Sequence, residues 1–140
     1  MHVEYNVFGL GLTGVIVPCK TALSRETSVY HAIQRAAQEK GWEYFRVENK
    51  LQNGFPDMLV FKSKQYWLIE AKMLHKRTIH RLEDDLEWQP GQLAFMVRAL
   101  RSGAHYMLAV GDKTNCITYC IGKNHGIENF PDFVGCVGLV

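Results

Sequence analysis

One stretch of the sequence, GFPDMLVFKSKQYWLIEAK at residues 54–72, constrains the fold more than any other. It contains two apolar runs on either side of a short polar turn, a pattern typical of two buried strands joined as a β-hairpin. Asp57, Glu70 and Lys72 interrupt these runs. Charged side chains are rarely buried unless they are paired or bind a metal. A fold that buries this hairpin must therefore bring the three groups to partners.

The turn at Ser63-Lys64 sets the register of the predicted hairpin. With a two-residue loop, three cross-strand pairs follow: Lys62 with Gln65, Phe61 with Tyr66, and Leu59 with Leu68. The same register places Asp57 directly opposite Glu70, where the two Cβ atoms are roughly 5 Å apart, and it puts Lys72 on the same face. Apolar residues on both faces nearer the turn predict that the hairpin is interior.

Two carboxylates at that separation repel each other, so one of them would be driven to bind a proton. A divalent cation removes the repulsion, and the hard oxygen ligands of an open site suit Mg²⁺ or Mn²⁺. Lys72 beside such a site could orient a water on the metal or stabilise charge that grows on a phosphate. These parts together favour phosphodiester hydrolysis. The alternative interpretation is a strand-end ion network.

The tripeptide Phe-Pro-Asp occurs twice, at 55–57 and at 130–132. No acid and no lysine follows the second copy in the sequence. The tripeptide alone therefore carries little information. The interpretation depends on Glu70 and Lys72, which follow the first copy.

Hydrophobic periodicity and chain breakers outline the other elements. A helix is predicted over 24–40, capped by Ser24 or Thr27, with Glu26 at its start on the inner face. The remaining predictions are strands at 42–48, 57–62, 65–72, 105–111 and 116–122, a helix from Pro90 to Gly103, and loop or a short helix over 74–87. Residues 1–19 are Gly-rich and β-leaning, and they form either an edge hairpin or a dimer arm. This order predicts an α/β fold, a mixed sheet with helices packed against it.

Composition is that of a globular protein of one domain. The 140 residues suffice to bury a core without staples, and 47% are apolar and 21% charged. The net charge of +2 is close to neutral, so nucleic-acid binding would depend on where the charges lie. The spacing of the four cysteines fits neither a disulfide framework nor a zinc or redox motif, which indicates buried thiols in a reducing compartment. The apolar stretch 7–17 is too short for a membrane span and lacks a basic leader, so we expect a cytoplasmic protein without a membrane partner.

Gly54, Pro56 and Asp57, followed after twelve residues by Glu70-Ala71-Lys72, resemble the PD-(D/E)XK nuclease superfamily. Within it, the chain is most similar to the small VRR-NUC group, often stand-alone phage proteins. That group has an N-terminal helix with a Glu, a G-x-PD strand, an E-x-K strand, and a helix that opens with a Q-x-x-aromatic pattern. Glu26 and the segment Gln92 to Phe95 fall at the matching positions.

The resemblance covers about residues 24–111. It implies a restriction-endonuclease-like core of αβββαβ order within a single nuclease domain over residues 1–140. Residues 1–19 and 112–140 lie outside it and would be accessory strands or segments that carry substrate or dimer contacts.

The resemblance also implies roles for individual residues. The implied ligands of Mg²⁺ or Mn²⁺ are Asp57, Glu70, the carbonyl of Ala71 and, completing or adjoining the shell, Glu26. Lys72 would position the attacking water, and Gln92 would contact the lysine, the water or a phosphate. A Glu at a helix start can instead be a dipole partner, and Gln92 can be a polar residue of the cap region.

Three basic residues directly after the predicted catalytic strand, Lys76, Arg77 and Arg81, would bind phosphate without reading sequence. The alternative is a solvated basic loop neutralised by the acidic run at 83–87. The sequence contains no helix-turn-helix or zinc-finger pattern, so base-specific recognition is not expected.

Three functional classes follow from these observations. The first is a metal-dependent endonuclease that cuts DNA, either structure-specific, acting on branched DNA such as Holliday junctions, or of a restriction or nicking type. Symmetric cutting of a junction would need a homodimer. The second is a nucleic-acid-binding module with a non-catalytic site, and the third is a structural or regulatory phage protein. The intact set of Asp57, Glu70 and Lys72 favours the first class.

Overall fold

The computed structural model describes residues 2–47, 54–76 and 78–136, and these form one seven-stranded mixed sheet with helices on both faces. The elements in chain order are β1 (His2–Val7), β2 (Leu10–Pro18), α1 (Glu26–Glu39), β3 (Glu43–Arg46), β4 (Met58–Lys62), β5 (Gln65–Met73), α2 (Leu82–Asp85), α3 (Gln92–Ser102), β6 (Tyr106–Gly111) and β7 (Cys116–Gly122). Three short 3-10 turns follow β7: Lys123–His125, Ile127–Asn129 and Asp132–Cys136. The sheet order is β1-β2-β7-β6-β5-β4-β3, in which β5 and β6 are parallel and the other neighbours are antiparallel.

The predicted fold class is confirmed. The run α1-β3-β4-β5-α3-β6 has the αβββαβ order of a restriction-endonuclease-like core, with the short α2 inserted before α3. Because β1 and β2 form an antiparallel hairpin at the sheet edge, the first alternative for the N-terminal segment is the one observed. The end of the strand predicted over 42–48, and the polar turn after it up to residue 53, lie outside the described residues.

The predicted hairpin register is confirmed for the pairs Lys62–Gln65, Phe61–Tyr66 and Leu59–Leu68, whereas the predicted pair of Asp57 with Glu70 is not part of the ladder. Its ladder runs from Lys62 opposite Gln65 to Met58 opposite Ile69. Ser63 takes a left-handed φ of 56°, as a tight two-residue turn requires. Asp57 is the residue immediately before the ladder, so its position is the one adjoining Glu70.

Two apolar clusters sandwich the sheet. On one face, α1 packs Val29 and Ile33 against a row of buried β4 and β5 side chains: Met58, Val60, Trp67, Ile69 and Ala71. On the other face, α2 and α3 pack Leu82 and Met96 against Leu108 and Val110 of β6. Glu70 and Lys72 pair with those two β6 residues, so they belong to this second face.

The prediction of an interior hairpin is wrong near the turn. On the second face Phe61 is 38% exposed and Tyr66 is 41% exposed, as is Phe45 of the edge strand at 49%. The physical reason is the position of α3, which packs on β6 and β2 and does not extend over β3 and β4. Only the end of the hairpin near Glu70 is buried on both faces.

The start of α1 differs from prediction in its cap. The helix begins at Glu26, and neither Ser24 nor Thr27 caps it with a side chain. Instead the Oγ of Ser28 accepts hydrogen bonds from the main-chain N–H groups of Ser24 at 3.0 Å and Arg25 at 3.2 Å. Glu26 is thereby held in the first turn, where a carboxylate interacts favourably with the helix dipole.

Gly111 sets how closely α1 approaches the sheet. A Cβ atom at this glycine would lie 2.6 Å from Cγ2 of Val29 and 3.3 Å from Sδ of Met73. Both neighbours are buried, so they have little room to move. Val29 is one helical turn from Glu26, which links this packing to the position of the Glu26 carboxylate.

We expect Gly111→Ala to lower the free energy of unfolding by about 1–3 kcal/mol, because overpacking forces α1 away from β6. Gly122→Ala is the matched control, since a Cβ there meets Leu100 and His125 only at the ordinary distances of 3.4 and 3.5 Å. Urea denaturation of both variants measures the difference. Equal stability of the two would contradict the close packing of α1.

Candidate active site

Glu70 and Lys72 lie where the sheet loses one strand. In the described chain, β4 pairs with β5 only as far as Ile69, whereas β5 continues to Met73 with β6 as its neighbour. Both side chains are nonetheless buried, with Glu70 1% and Lys72 2% exposed. The start of α1 reaches this place from the opposite face of the sheet, and the Oε1 of Glu26 is 3.8 Å from the Nζ of Lys72.

The Lys72 ammonium is surrounded by acceptors. It donates to the main-chain oxygen of Glu87 at 2.5 Å and to Oε1 of Gln92 at 2.6 Å. Oε2 of Glu70 lies 3.9 Å away, and the ring centroid of Trp88 lies 5.2 Å from Nζ. A buried ammonium needs several such partners to offset its lost hydration, so this cage fixes the lysine in one position.

Gln92, the first residue of α3, joins the lysine to the glutamate. Its Oε1 accepts from Lys72 and also from the main-chain N–H of Gln89 at 2.8 Å, while its Nε2 donates to Oε2 of Glu70 at 3.2 Å. Of the contacts that the sequence implied for Gln92, the contact with the lysine is the one observed. The amide is buried, so its three bonds are made in a low-dielectric setting where each is strong.

Gly54 allows the loop before Asp57 to pack directly against the start of α3. Its φ is 89°, and a Cβ atom there would lie 2.2 Å from the carbonyl oxygen of Gly91 and 2.8 Å from the nitrogen of Gln92. No other residue type fits a position with both a left-handed backbone and such close contact. The glycine of the G-x-P-D pattern is therefore a packing requirement that brings Asp57 to the same end of the sheet as Gln92.

Asp57 is held by a residue that the sequence analysis did not identify. The hydroxyl of Tyr30 on α1 donates to Oδ2 of Asp57 at 2.7 Å. The guanidinium of Arg46 in turn lies 4.0 Å above the Tyr30 ring centroid, a cation–π contact. Tyr30 follows Glu26 by one helical turn, and that i,i+4 spacing is the signal that could have revealed it.

The pKa shifts of two tyrosines show that the acids share one electrostatic environment. Burial raises the pKa of Tyr30, and the hydrogen bond to Asp57 and the charges of Asp57, Glu26 and Glu70 raise it further. Burial likewise raises the pKa of Tyr106, reinforced by the charges of Glu70 and Asp57. Negative charge is thus concentrated at this end of the sheet.

Glu26 experiences the same field. Burial raises the pKa of its carboxyl above the ordinary value of 4.5, the charges of Asp57 and Glu87 raise it further, and Lys72 and His75 oppose the shift. One lysine therefore does not compensate the burial and mutual repulsion of the acids.

The residues present fit a hard divalent cation. Carboxylates of Asp57 and Glu70 beside the carbonyl of Ala71 supply oxygen donors of the kind that Mg²⁺ prefers. Across residues 2–47, 54–76 and 78–136, no group of three or more His, Cys, Asp or Glu side chains could enclose an ion. The protein would therefore provide only part of a coordination shell, and Mg²⁺ commonly keeps several waters in its shell.

Two of the three residues predicted to bind nucleic acid have acidic partners on α2. Lys76 is 3.1 Å from Oδ1 of Asp85, and Arg81 is 3.3 Å from Glu83 and 3.2 Å from Asp84. Main-chain N–H groups of His80 and Arg81, together with Lys76, lower the pKa of Asp85 to about 2. Arg77, the third of these residues, lies outside the described residues.

One of two cavities described here is lined by predicted site residues and the other is not. A cleft of about 180 Å³ opens onto Lys72 and is lined by Arg25, Glu26, Met73, His75, Glu87 and Gln89. A larger cavity of about 630 Å³ lies at the opposite end of the hairpin, between its turn and the segment 128–132, with Trp42, Trp67 and His105 in its walls. The larger cavity contains none of the predicted site residues.

Comparison with known proteins finds likenesses among solved structures. No protein-family model matches the sequence, and no curated protein sequence matches it. Hjc from Archaeoglobus fulgidus, a Holliday junction resolvase from an archaeal hyperthermophile, is similar in structure with a TM-score of 0.46. The sequences are 16% identical, and the match covers 70% of this chain and 88% of that chain. Among the described helices, none is long and apolar enough to cross a membrane.

We expect Gln92→Ala to lower the free energy of unfolding by about 1–3 kcal/mol, because it leaves the buried Lys72 and Glu70 groups without a shared hydrogen-bond partner. Gln89→Ala is the matched control. Its side chain is exposed, and its bond to Gln92 uses the main chain. Urea denaturation of both variants should show a change below about 0.5 kcal/mol for Gln89→Ala. Equal losses would mean that Gln92 does not hold the pair together.

Glu26→Gln should raise stability at pH 8 and leave it unchanged near pH 4. The folded protein binds the Glu26 proton more tightly than the unfolded chain does, so wild-type stability falls as the pH rises above the unfolded pKa of about 4.5. The amide carries no such penalty. Denaturation curves at several pH values measure the effect, with Glu43→Gln on the exposed edge strand as control. A stability loss for Glu26→Gln at pH 8 would show that its attraction to Lys72 dominates.

Proposed function

We propose that the chain is a Mg²⁺- or Mn²⁺-dependent endonuclease of the PD-(D/E)XK superfamily, of the VRR-NUC type, that hydrolyses phosphodiester bonds in DNA. The observation that carries the proposal is the buried Lys72, bonded to Gln92 and flanked by Glu70 and Glu26 beside the Asp57 strand end. A lysine and a glutamate buried as deeply as Lys72 and Glu70 are costly for stability, and such arrangements cluster at functional sites.

In the proposed reaction the cation and Lys72 have different roles. Bound by Asp57, Glu70 and the Ala71 carbonyl, a divalent cation would polarise the phosphoryl group and make a nearby water more acidic. Lys72 is the group that orients the attacking water and stabilises negative charge on the phosphate. The hydrogen bonds from Lys72 to Gln92 and Glu87 keep its ammonium in place during that step.

We infer branched DNA, such as a Holliday junction, as the substrate, because the sequence adds no base-reading module to the nuclease core. Lys76, Arg77 and Arg81 would contribute phosphate contacts. Surface ion pairs such as those of Lys76 and Arg81 contribute little to stability, so DNA phosphates could replace their acidic partners. Symmetric cutting would require two copies of the chain, one for each strand.

The two Phe-Pro-Asp copies provide a matched test. Asp57→Asn should reduce Mg²⁺-dependent cutting by about 100-fold or more, because it removes a charge at the reacting centre. Asp132→Asn should leave cutting unchanged, since Asp132 accepts from Nε1 of Trp42 at 2.8 Å and an asparagine oxygen can still do so. The assay uses linear, nicked, flapped and four-way DNA of the same sequence.

If Asp57→Asn and Asp132→Asn changed DNA cutting equally, Asp57 would not be a residue of the active site. If wild-type protein binds this DNA but cuts no member of the panel with Mg²⁺ or Mn²⁺, the nucleic-acid-binding module replaces the endonuclease as the better hypothesis.

A further inference from the structure

An exposed aromatic surface lies on the hairpin beside the candidate active site. Phe45, Phe61 and Tyr66, here called the aromatic platform, are 49%, 38% and 41% exposed, and they stand on the adjacent strands β3, β4 and β5. The rings of Phe45 and Phe61 stack with centroids 5.5 Å apart and planes within 10°. Tyr66 stacks on His105 at 5.0 Å. The platform therefore presents partly exposed rings that their stacking contacts hold in order.

The platform shares a face of the sheet with the charged site. Phe45 pairs with Leu59 and Leu59 pairs with Leu68, so these side chains point the same way. Alternation along β5 puts Glu70 on that face, two residues beyond Leu68. Along the strands the two positions are about 7 Å apart, and across β4 they are separated by two strand spacings, about 10 Å. The Phe45 end of the platform therefore lies roughly 12 Å from Glu70 on the same face of the sheet.

Arg46 lies on the other face of the sheet from the platform. It pairs with Met58, which packs under α1, and its guanidinium lies over Tyr30 of α1, the residue that bonds to Asp57. The charged residue on the platform's own face of β3 is Glu43, opposite Phe61. The Phe45 end of the platform, which is the end nearer the site, is therefore the apolar end.

We propose that the aromatic platform stacks unpaired bases of a DNA strand whose backbone leads to the site. This rests on the proposed function and narrows its substrate to DNA with an unpaired segment next to the cut, as at a flap. Base–aromatic stacking does not depend on sequence, which suits a chain without a base-reading module.

The size of the platform argues against a second copy of the chain as its occupant. Three aromatic side chains exposed to this extent offer roughly 300 Å² of surface, given about 150–250 Å² for each whole side chain. A stable protein interface buries about 800 Å² on each partner. Stacking one or two bases needs far less area.

Fluorescence of 2-aminopurine tests base stacking without requiring cleavage. Flapped DNA carrying 2-aminopurine in its single strand is titrated with protein in EDTA, which stops metal-dependent cutting. We expect the fluorescence to be quenched on binding, and Phe45→Ala to weaken binding by about 5- to 100-fold and abolish the quenching. Phe8→Ala is the matched control, because Phe8 is 58% exposed in the β1–β2 turn, away from the platform.

The outcomes distinguish this inference from the proposed function. If Mg²⁺-dependent cutting occurs but Phe45→Ala and Phe8→Ala bind and cut flapped DNA equally, the platform proposal fails and the endonuclease stands. If no DNA is cut but Phe45→Ala alone abolishes quenching, the platform stands and the endonuclease fails. A dimer that Phe45→Ala converts to monomer in sedimentation would assign the platform to a second copy and overturn the proposal.

Discussion

The burial of the Lys72 ammonium is the constraint on which the rest of this end of the molecule depends. An ammonium removed from water must recover several kcal/mol through close partners. Here those partners come from three separate parts of the chain: the Glu87 carbonyl, the Gln92 amide and the acids of β5 and α1. Their convergence fixes where α3 begins and how the loop before it crosses the sheet. The contact of Gly54 with Gly91 then adds the loop that carries Asp57 to the same assembly.

The charges of this assembly favour a ligand over stability. An ion network at a strand end would lie at the surface and contribute little. Glu70 and Lys72 are instead almost completely buried, and the pKa of Glu26 is raised because burial and neighbouring acids outweigh its attraction to the lysine. A divalent cation bound here would be the largest local charge and would offset the repulsion between the acids. Functional sites commonly lower the stability of the folded protein in this way.

Those parts of the fold that rest on local periodicity could be predicted from the sequence. The period of two along β4 and β5 and the two-residue turn at Ser63 together fix the register, so Glu70 and Lys72 had to share a face. Contacts that depend on how separate elements pack could not be predicted. Tyr30 of α1 bonds to Asp57 beyond the last β4–β5 pair, and the platform is exposed on a face where α3 packs on β6 and β2. Neither the contact of Tyr30 with Asp57 nor the exposure of the platform follows from the sequence pattern.

The two copies of Phe-Pro-Asp show that the environment of the aspartate depends on strand context and not on the motif itself. Asp132 opens a 3-10 turn and supports the core by accepting from the Trp42 indole. Asp57 stands at the end of a hairpin ladder, where the next position on the partner strand is a glutamate that cannot reach bulk water. The same carboxylate is thus a structural acceptor in one place and part of a dense negative field in the other. What distinguishes them is β5, since it alone contributes an acid and a lysine on one face within hydrogen-bonding reach of Gln92.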